Sequence, residues 1–134
     1  MKKVRKIRVF LFAILFAMLI SLPTYAATIN VNTALPVMKG WKVLPAVNKT
    51  GSSTQARVYL TRLETSGVVF QVRYNNQLTG WSDYVSSINA SATGRNFYLP
   101  YGMNLGSGTP VQVRLQNFDF TVGAYQVEGY VDIG

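Results

Sequence analysis

The side chains able to do chemistry are few, and their spacing narrows what they could do. Lys49 stands three and four residues before Ser52 and Ser53, the types that a serine–lysine dyad would use, with the amine taking the hydroxyl proton. They fall in a Gly-Ser turn, for which a solvated loop is the simpler expectation. Glu128 and Asp132 could in principle be the carboxyl pair of a glycosidase. Four residues along one strand put them roughly 13 Å apart at about 3.3 Å per residue, too far for a retaining pair. Asn117-Phe118-Asp119 offers two hard oxygen ligands for calcium, without an acidic cluster beside it. The glycine-rich run 102–108 leads into Pro110 and a strand-like segment, whereas a phosphate cradle needs a following helix.

The chain contains no histidine and no cysteine. Ser-His-Asp and Cys-His catalysis, thiol redox chemistry and zinc sites on thiolate or imidazole are therefore excluded. The expectation is a protein that is not an enzyme and needs no cofactor or metal. Binding chemistry is better supplied. Residues 27–134 hold thirteen aromatic side chains, and flat rings beside Asn, Gln and Arg are what a sugar- or peptide-binding surface uses. The densest stretch carries Asn75, Asn76, Gln77, Trp81, Tyr84, Arg95, Tyr98 and Tyr101. Tyr59 and Tyr130 join these candidates because their neighbours on the same strand face are polar. Rings of this kind also pack sheets and cores, since strands favour aromatic residues.

The elements that must position these residues are strands. Ala56, Val58 and Leu60 alternate with Arg57, Tyr59 and Thr61; Val68, Phe70, Val72 and Tyr74 alternate with Val69, Gln71 and Arg73. Val111, Val113 and Leu115 do the same against Gln112, Arg114 and Gln116, as do Tyr125, Val127 and Val131 against Gln126, Glu128, Tyr130 and Asp132. Period-two patterning of this kind buries one face and wets the other. Turn-forming clusters lie between these runs, at 48–53, 66–67, 75–80, 86–94, 101–110 and 121–124. With weaker strands at 28–34, 41–47, 81–85 and 96–99, the count reaches about eight. The expected fold is all-β, an antiparallel two-sheet sandwich, with a small barrel as the alternative. Pro36 and Pro45 around the second strand suit an edge position, because proline cannot donate to a ladder. There is no internal repeat or disordered linker.

Ahead of this domain, residues 1–26 read as a secretory signal peptide. A basic stretch to Arg8 precedes an apolar run from Val9 to Ile20, and Pro23 breaks the helix before Thr24-Tyr25-Ala26. The apolar run is shorter than the about 20 residues a membrane span requires. The expected organisation is a signal peptide, 1–26, and one domain, 27–134, with membrane contact only through the signal before cleavage. No twin-arginine pair precedes the apolar run, which points to export of an unfolded chain. Without cysteine there is no lipid attachment point, and no sortase motif is present. The product is thus expected to be secreted and extracellular, released or held non-covalently.

Of the thirteen Lys and Arg residues, five lie in the signal. The remaining eight face five acids, a net charge of +3, and their scattered positions give no basic stripe for nucleic acid. The segment 108–117, Gly-Thr-Pro-Val-Gln-Val-Arg-Leu-Gln-Asn, with 125–132, Tyr-Gln-Val-Glu-Gly-Tyr-Val-Asp, resembles the ending of small secreted β-rich proteins of unknown function from Gram-positive bacteria, some of them bacteriocin-like. It covers 18 of the 134 residues, places Val131 where that pattern has Trp, and carries over no catalytic residue. The reading that follows is a binding module at the bacterial surface, with a cell-wall glycan or surface protein as partner. A bacteriocin-like antagonist and a self-associating matrix protein are the alternatives. The exported protein is expected to begin at Ala27; the intact mass of protein recovered from culture medium checks this, and a mass retaining residues 1–26 would refute it.

Overall fold

A computed structural model describes residues 27–134; the expected signal peptide, 1–26, lies outside the described residues. The strands are β1 (Thr28–Leu35), β2 (Lys42–Val43), β3 (Val47–Asn48), β4 (Ser53–Leu63), β5 (Val68–Asn76), β6 (Gly80–Trp81), β7 (Ser86–Ala90), β8 (Asn96–Leu105), β9 (Pro110–Asn117) and β10 (Tyr125–Asp132). They form two antiparallel sheets. One has four strands in the order β1-β10-β4-β8; the other has six, running β2-β9-β5-β6, with β3 also on β9 and β7 also on β5. β7 and β8 approach along one seam without joining a ladder among the described residues. The sheets therefore stay separate, as a sandwich.

The alternating apolar residues supply the core. Ala56, Val58 and Leu60 of β4 and Val127 and Val131 of β10 face Val68, Phe70 and Val72 of β5 and Val111, Val113 and Leu115 of β9, all fully buried. Each large side chain so buried contributes about 1.5–3 kcal/mol.

Departures from the expected strands have local causes. The expected strand 41–47 is broken at Leu44-Pro45-Ala46, and its two halves, β2 and β3, both pair with β9 at the sheet edge. Proline thus has the edge position its missing N–H requires. Of the expected strand 81–85 only Trp81 joins a ladder, with Gly80 before it. Residues 82–85 run beside β5 on isolated bonds, Ser82 N–H to Tyr74 O and Val85 N–H to Val72 O, both 2.9 Å. The polar run Ser86–Ala90, expected to be loop, is strand β7 because its backbone completes the open edge of β5. β8 continues past the expected stop at Leu99 to Leu105 by means of a wide bulge. Gln55 pairs with Pro100 and Ser53 with Leu105, so four residues of β8 oppose Thr54 alone. Gly102, at φ 78°, takes the left-handed turn this needs.

A second irregularity lies where Glu128 pairs with Arg62 and Gly129 with Leu60, leaving Thr61 as the extra residue. β10 there presses against β4 so closely that a Cβ on Gly129 would overlap Tyr59 O and lie 2.8 Å from Leu60 Cα. Backbone on both sides cannot give way. Gly129→Ala is expected to cost about 1–3 kcal/mol and to lower the melting temperature by at least about 4 °C; thermal unfolding followed by circular dichroism checks it.

Candidate functional site

The candidate site lies on the outer face of the six-stranded sheet. Gln71-Val72-Arg73 of β5 and Gln112-Val113-Arg114 of β9 are the same tripeptide. The antiparallel register sets Val72 against Val113, Gln71 against Arg114 and Arg73 against Gln112. Each valine is buried, so each flanking Gln and Arg points outward. Arg73 donates through Nε (2.9 Å) and Nη2 (2.5 Å) to Gln112 Oε1. Arg114 does the same to Gln71 Oε1, at 2.9 and 2.6 Å. Gln112 is itself oriented by its Nε2 donating to Leu44 O at 3.3 Å.

Three aromatic rings lie over these two guanidinium groups. Arg114 sits 4.1 Å from the centre of the Trp41 ring and 3.6 Å from that of Tyr84. Arg73 sits 5.2 Å from Tyr84 and 4.9 Å from Trp81. The row therefore reads Trp41, Arg114, Tyr84, Arg73, Trp81, with cations alternating with rings. Trp41 comes from the residues just before β2, and Tyr84 from the segment that Ser82 and Val85 tie to β5. Among the described residues no carboxylate lies within 4.0 Å of either guanidinium. The three salt bridges among the described residues are all on the other sheet: Arg57 with Asp132, and Arg62 with Glu64 and Glu128.

Beyond the Trp81 end of this row opens a cleft of about 470 Å³. One wall is Tyr74 to Leu78, and the other is the 103–109 segment, the end of β8 and the turn to β9. Asn75 and Asn76 belong to the first wall, and Asn75 pairs with Trp81. Asn76 Oδ1 accepts the Leu78 N–H at 3.0 Å, which shapes the hairpin turn.

The other residues singled out in the sequence lie elsewhere. Tyr59 and Tyr130 stack on the outer face of the four-stranded sheet, ring centres 5.4 Å apart. Tyr98, 49% exposed, pairs with Arg57 on that same sheet, and Arg95 stacks on Phe97 at the start of β8. Tyr101 is 1% exposed, in the core, with its hydroxyl donating to Ile133 O at 3.0 Å. Of the dense stretch, only Trp81, Tyr84, Asn75, Asn76 and Gln77 thus come together. Trp41, Arg73 and Arg114 were not among the sequence candidates. The signal for the two arginines was the repeated Gln-Val-Arg, three residues long and meaningful only once the strands pair.

Asn117, considered for calcium, is buried and engaged: its Oδ1 accepts from Thr65 at 2.5 Å and its Nδ2 donates to Thr121 at 3.0 Å. Lys49, expected in a solvated loop, is 2% exposed. Its ammonium donates to Ser53 Oγ and Ile133 O and lies 5.0 Å from the Tyr101 ring centre. The Lys49–Ser53 pair therefore exists, but Gly134 fills the space above it; a Cβ there would lie 2.9 Å from Ser53 Cβ and 2.8 Å from Lys49 Nζ. With Thr50 and Gly51 N–H bonded to Gly134 O, this corner fastens the last residues to the β3–β4 turn.

Burial lowers the Lys49 pKa from its ordinary 10.5, opposed by the charge of Asp132. The Tyr101 pKa is raised from 10.0 by burial first and by Asp132 second, with the Ser53 contact opposing. Between the lowered Lys49 pKa and about 10.5 the unfolded chain binds more protons at this lysine, so its contribution makes stability rise with pH. Above about 10.0 the unfolded chain loses the Tyr101 proton first, and stability falls. Urea unfolding across alkaline pH is expected to show a rise and then a fall. Lys49→Met should flatten the rise, and an unchanged slope in that variant would contradict the assignment.

No protein-family model matches this chain, and no curated protein matches it, so the functional reading rests on the geometry of these residues.

Proposed function

We propose that this is a non-enzymatic binding module that works outside the cell, and that the outer face of the six-stranded sheet is its binding surface, with a polymer of the bacterial cell surface as partner. The observation that carries this reading is the row Trp41, Arg114, Tyr84, Arg73, Trp81. A ring-and-cation row held this way is organised before any ligand arrives, which reduces the ordering cost of binding. Trp81 is 39% exposed at the end of the row, so it can offer contact area to a ligand. The adjoining cleft adds Asn75, Asn76, Gln77, Asn104 and Ser107, amides and a hydroxyl of the kind that orient a polyol. The signal-like segment at 1–26 supports the extracellular setting.

The Lys49–Ser53 pair supports no competing catalytic reading, because a nucleophile needs an open position for the reacting carbonyl, and Gly134 occupies it. A glycan and cell-wall array tests the proposal. Trp81→Ala is expected to weaken binding by at least about tenfold, the loss of roughly 1.4 kcal/mol. Tyr59→Ala, on the opposite sheet, is expected to bind like wild type. A blank array, or undiminished binding by Trp81→Ala, would remove the proposal's support.

A further inference from the structure

We infer that the ligand of this face is an extended polyanion, a polysaccharide or polyol chain bearing carboxylate or phosphodiester groups, held by the outer edges of Arg73 and Arg114. The inference rests on the proposed binding role of the six-stranded sheet and assigns its ligand class.

Charge distribution is the first ground. Glu64, Glu128 and Asp132 are engaged by Arg57 and Arg62 on the four-stranded sheet. Asp119 accepts from Ser66. Asp83 lies in the 82–85 segment, and it is not within 4.0 Å of either ladder arginine. Arg73 and Arg114 thus have neutral hydrogen-bond partners and, among the described residues, no ion-pair partner within 4.0 Å. Both lie against the Tyr84 ring, which puts them within roughly 9 Å of each other, so their fields add at the surface.

The second ground is which donors remain. A guanidinium has five N–H groups in one plane. The pair along its side, Nε and one Nη, is spent on a glutamine oxygen in each case. Two aromatic rings lie against each guanidinium, their centres 3.6 to 5.2 Å from its carbon. The end-on pair, one N–H from each Nη, has no acceptor among the described residues. Two parallel N–H groups on a fixed cation match the two oxygens of a carboxylate or phosphodiester, and such charge-assisted bonds are about twice as strong as neutral ones.

Shape is the third. The five side chains form a row across an open sheet face, which suits a chain passing over it with repeated charges. The local two-fold relation of the Gln-Val-Arg pair lets that chain run in either direction.

The test uses protein purified after expression of the full chain, titrated calorimetrically with polygalacturonate, poly(glycerol phosphate), neutral dextran and a single-stranded oligonucleotide. Both anionic polymers or one of them should bind, and the preferred one identifies carboxylate or phosphodiester as the recognised group. With two cations engaged, affinity should fall about sevenfold between 50 and 200 mM salt. Arg73→Gln/Arg114→Gln should lose at least tenfold. Arg73→Lys/Arg114→Lys keeps the charge without the fork, and should keep the salt dependence while binding more weakly. Melting curves identify any variant that fails to fold, and the Lys pair then decides the matter: wild-type affinity in it would overturn the role of the fork.

Dextran bound as tightly as the polyanions and without salt dependence, yet lost in Trp81→Ala, would overturn the polyanion and leave the binding face standing. Binding indifferent to Trp81 and to both arginines would overturn the two together, as would no binding to any polymer. Preference for the oligonucleotide would overturn the polysaccharide or polyol assignment.

Discussion

The pairing of Val72 with Val113 sets both sides of the six-stranded sheet at once. Side chains alternate along a strand, so slipping β5 by one residue against β9 would turn Phe70, Val72 and their neighbours to solvent and bring Arg73 into the core. The buried face forbids that slip: Phe70 lies against Leu115 and Val72 against Val113, all without exposure. The outer face follows as a corollary. Gln71 must oppose Arg114 and Arg73 must oppose Gln112, because the core has already chosen the register. Surface recognition here is specified by hydrophobic packing on the other side of the same backbone.

The four-stranded sheet handles its charges differently. Arg57 reaches Asp132 at 2.9 Å, and Arg62 reaches both Glu64 and Glu128. Glu64 is held below the usual carboxylate range chiefly by the Gln126 N–H, and then by Arg62. Exposed pairs of this sort contribute little to stability, about 0–1 kcal/mol each. Their larger effect is distributional. With three of the five acids of residues 27–134 engaged there, a domain of net charge only +3 can still present cations outside any ion pair on its opposite face. Net charge alone gave no sign of this, since it averages over two unlike surfaces.

Alternation made the core legible: every residue expected inside on β4, β9 and the first half of β5 is buried. Pro36 and Pro45 made the edge legible through a missing donor. The β8 bulge and strand β7 were hidden, because Gly102 and the serines of 86–87 carry turn chemistry wherever they stand, and only a partner strand decides whether they pair. The same limit applied to the site. Trp81 and Tyr84 were legible from residue type, but the arginines between the rings needed the strand register. Tyr101 is indistinguishable from Tyr98 by type; because β8 runs on past Leu99, alternation puts Tyr101 on the buried face with Leu99 and leaves Tyr98 on the surface. The chain also crosses from one sheet to the other between β7 and β8, so a stretch dense in aromatics divides between opposite faces.

Glutamine as the partner of each guanidinium is the feature that joins fold to recognition. A glutamate at 71 or 112 would have nearly the same length and the same acceptor geometry toward the Nε and Nη2 donors. It would also hold the cation more strongly, as charge-assisted bonds do. It would, however, cancel the charge it positioned. An amide fixes the guanidinium between the rings through one neutral oxygen and, in the case of Gln112, is steadied by Leu44 O. The arginine therefore becomes rigid without being neutralised, and its remaining N–H pair and its charge are left for a group that the domain does not itself provide.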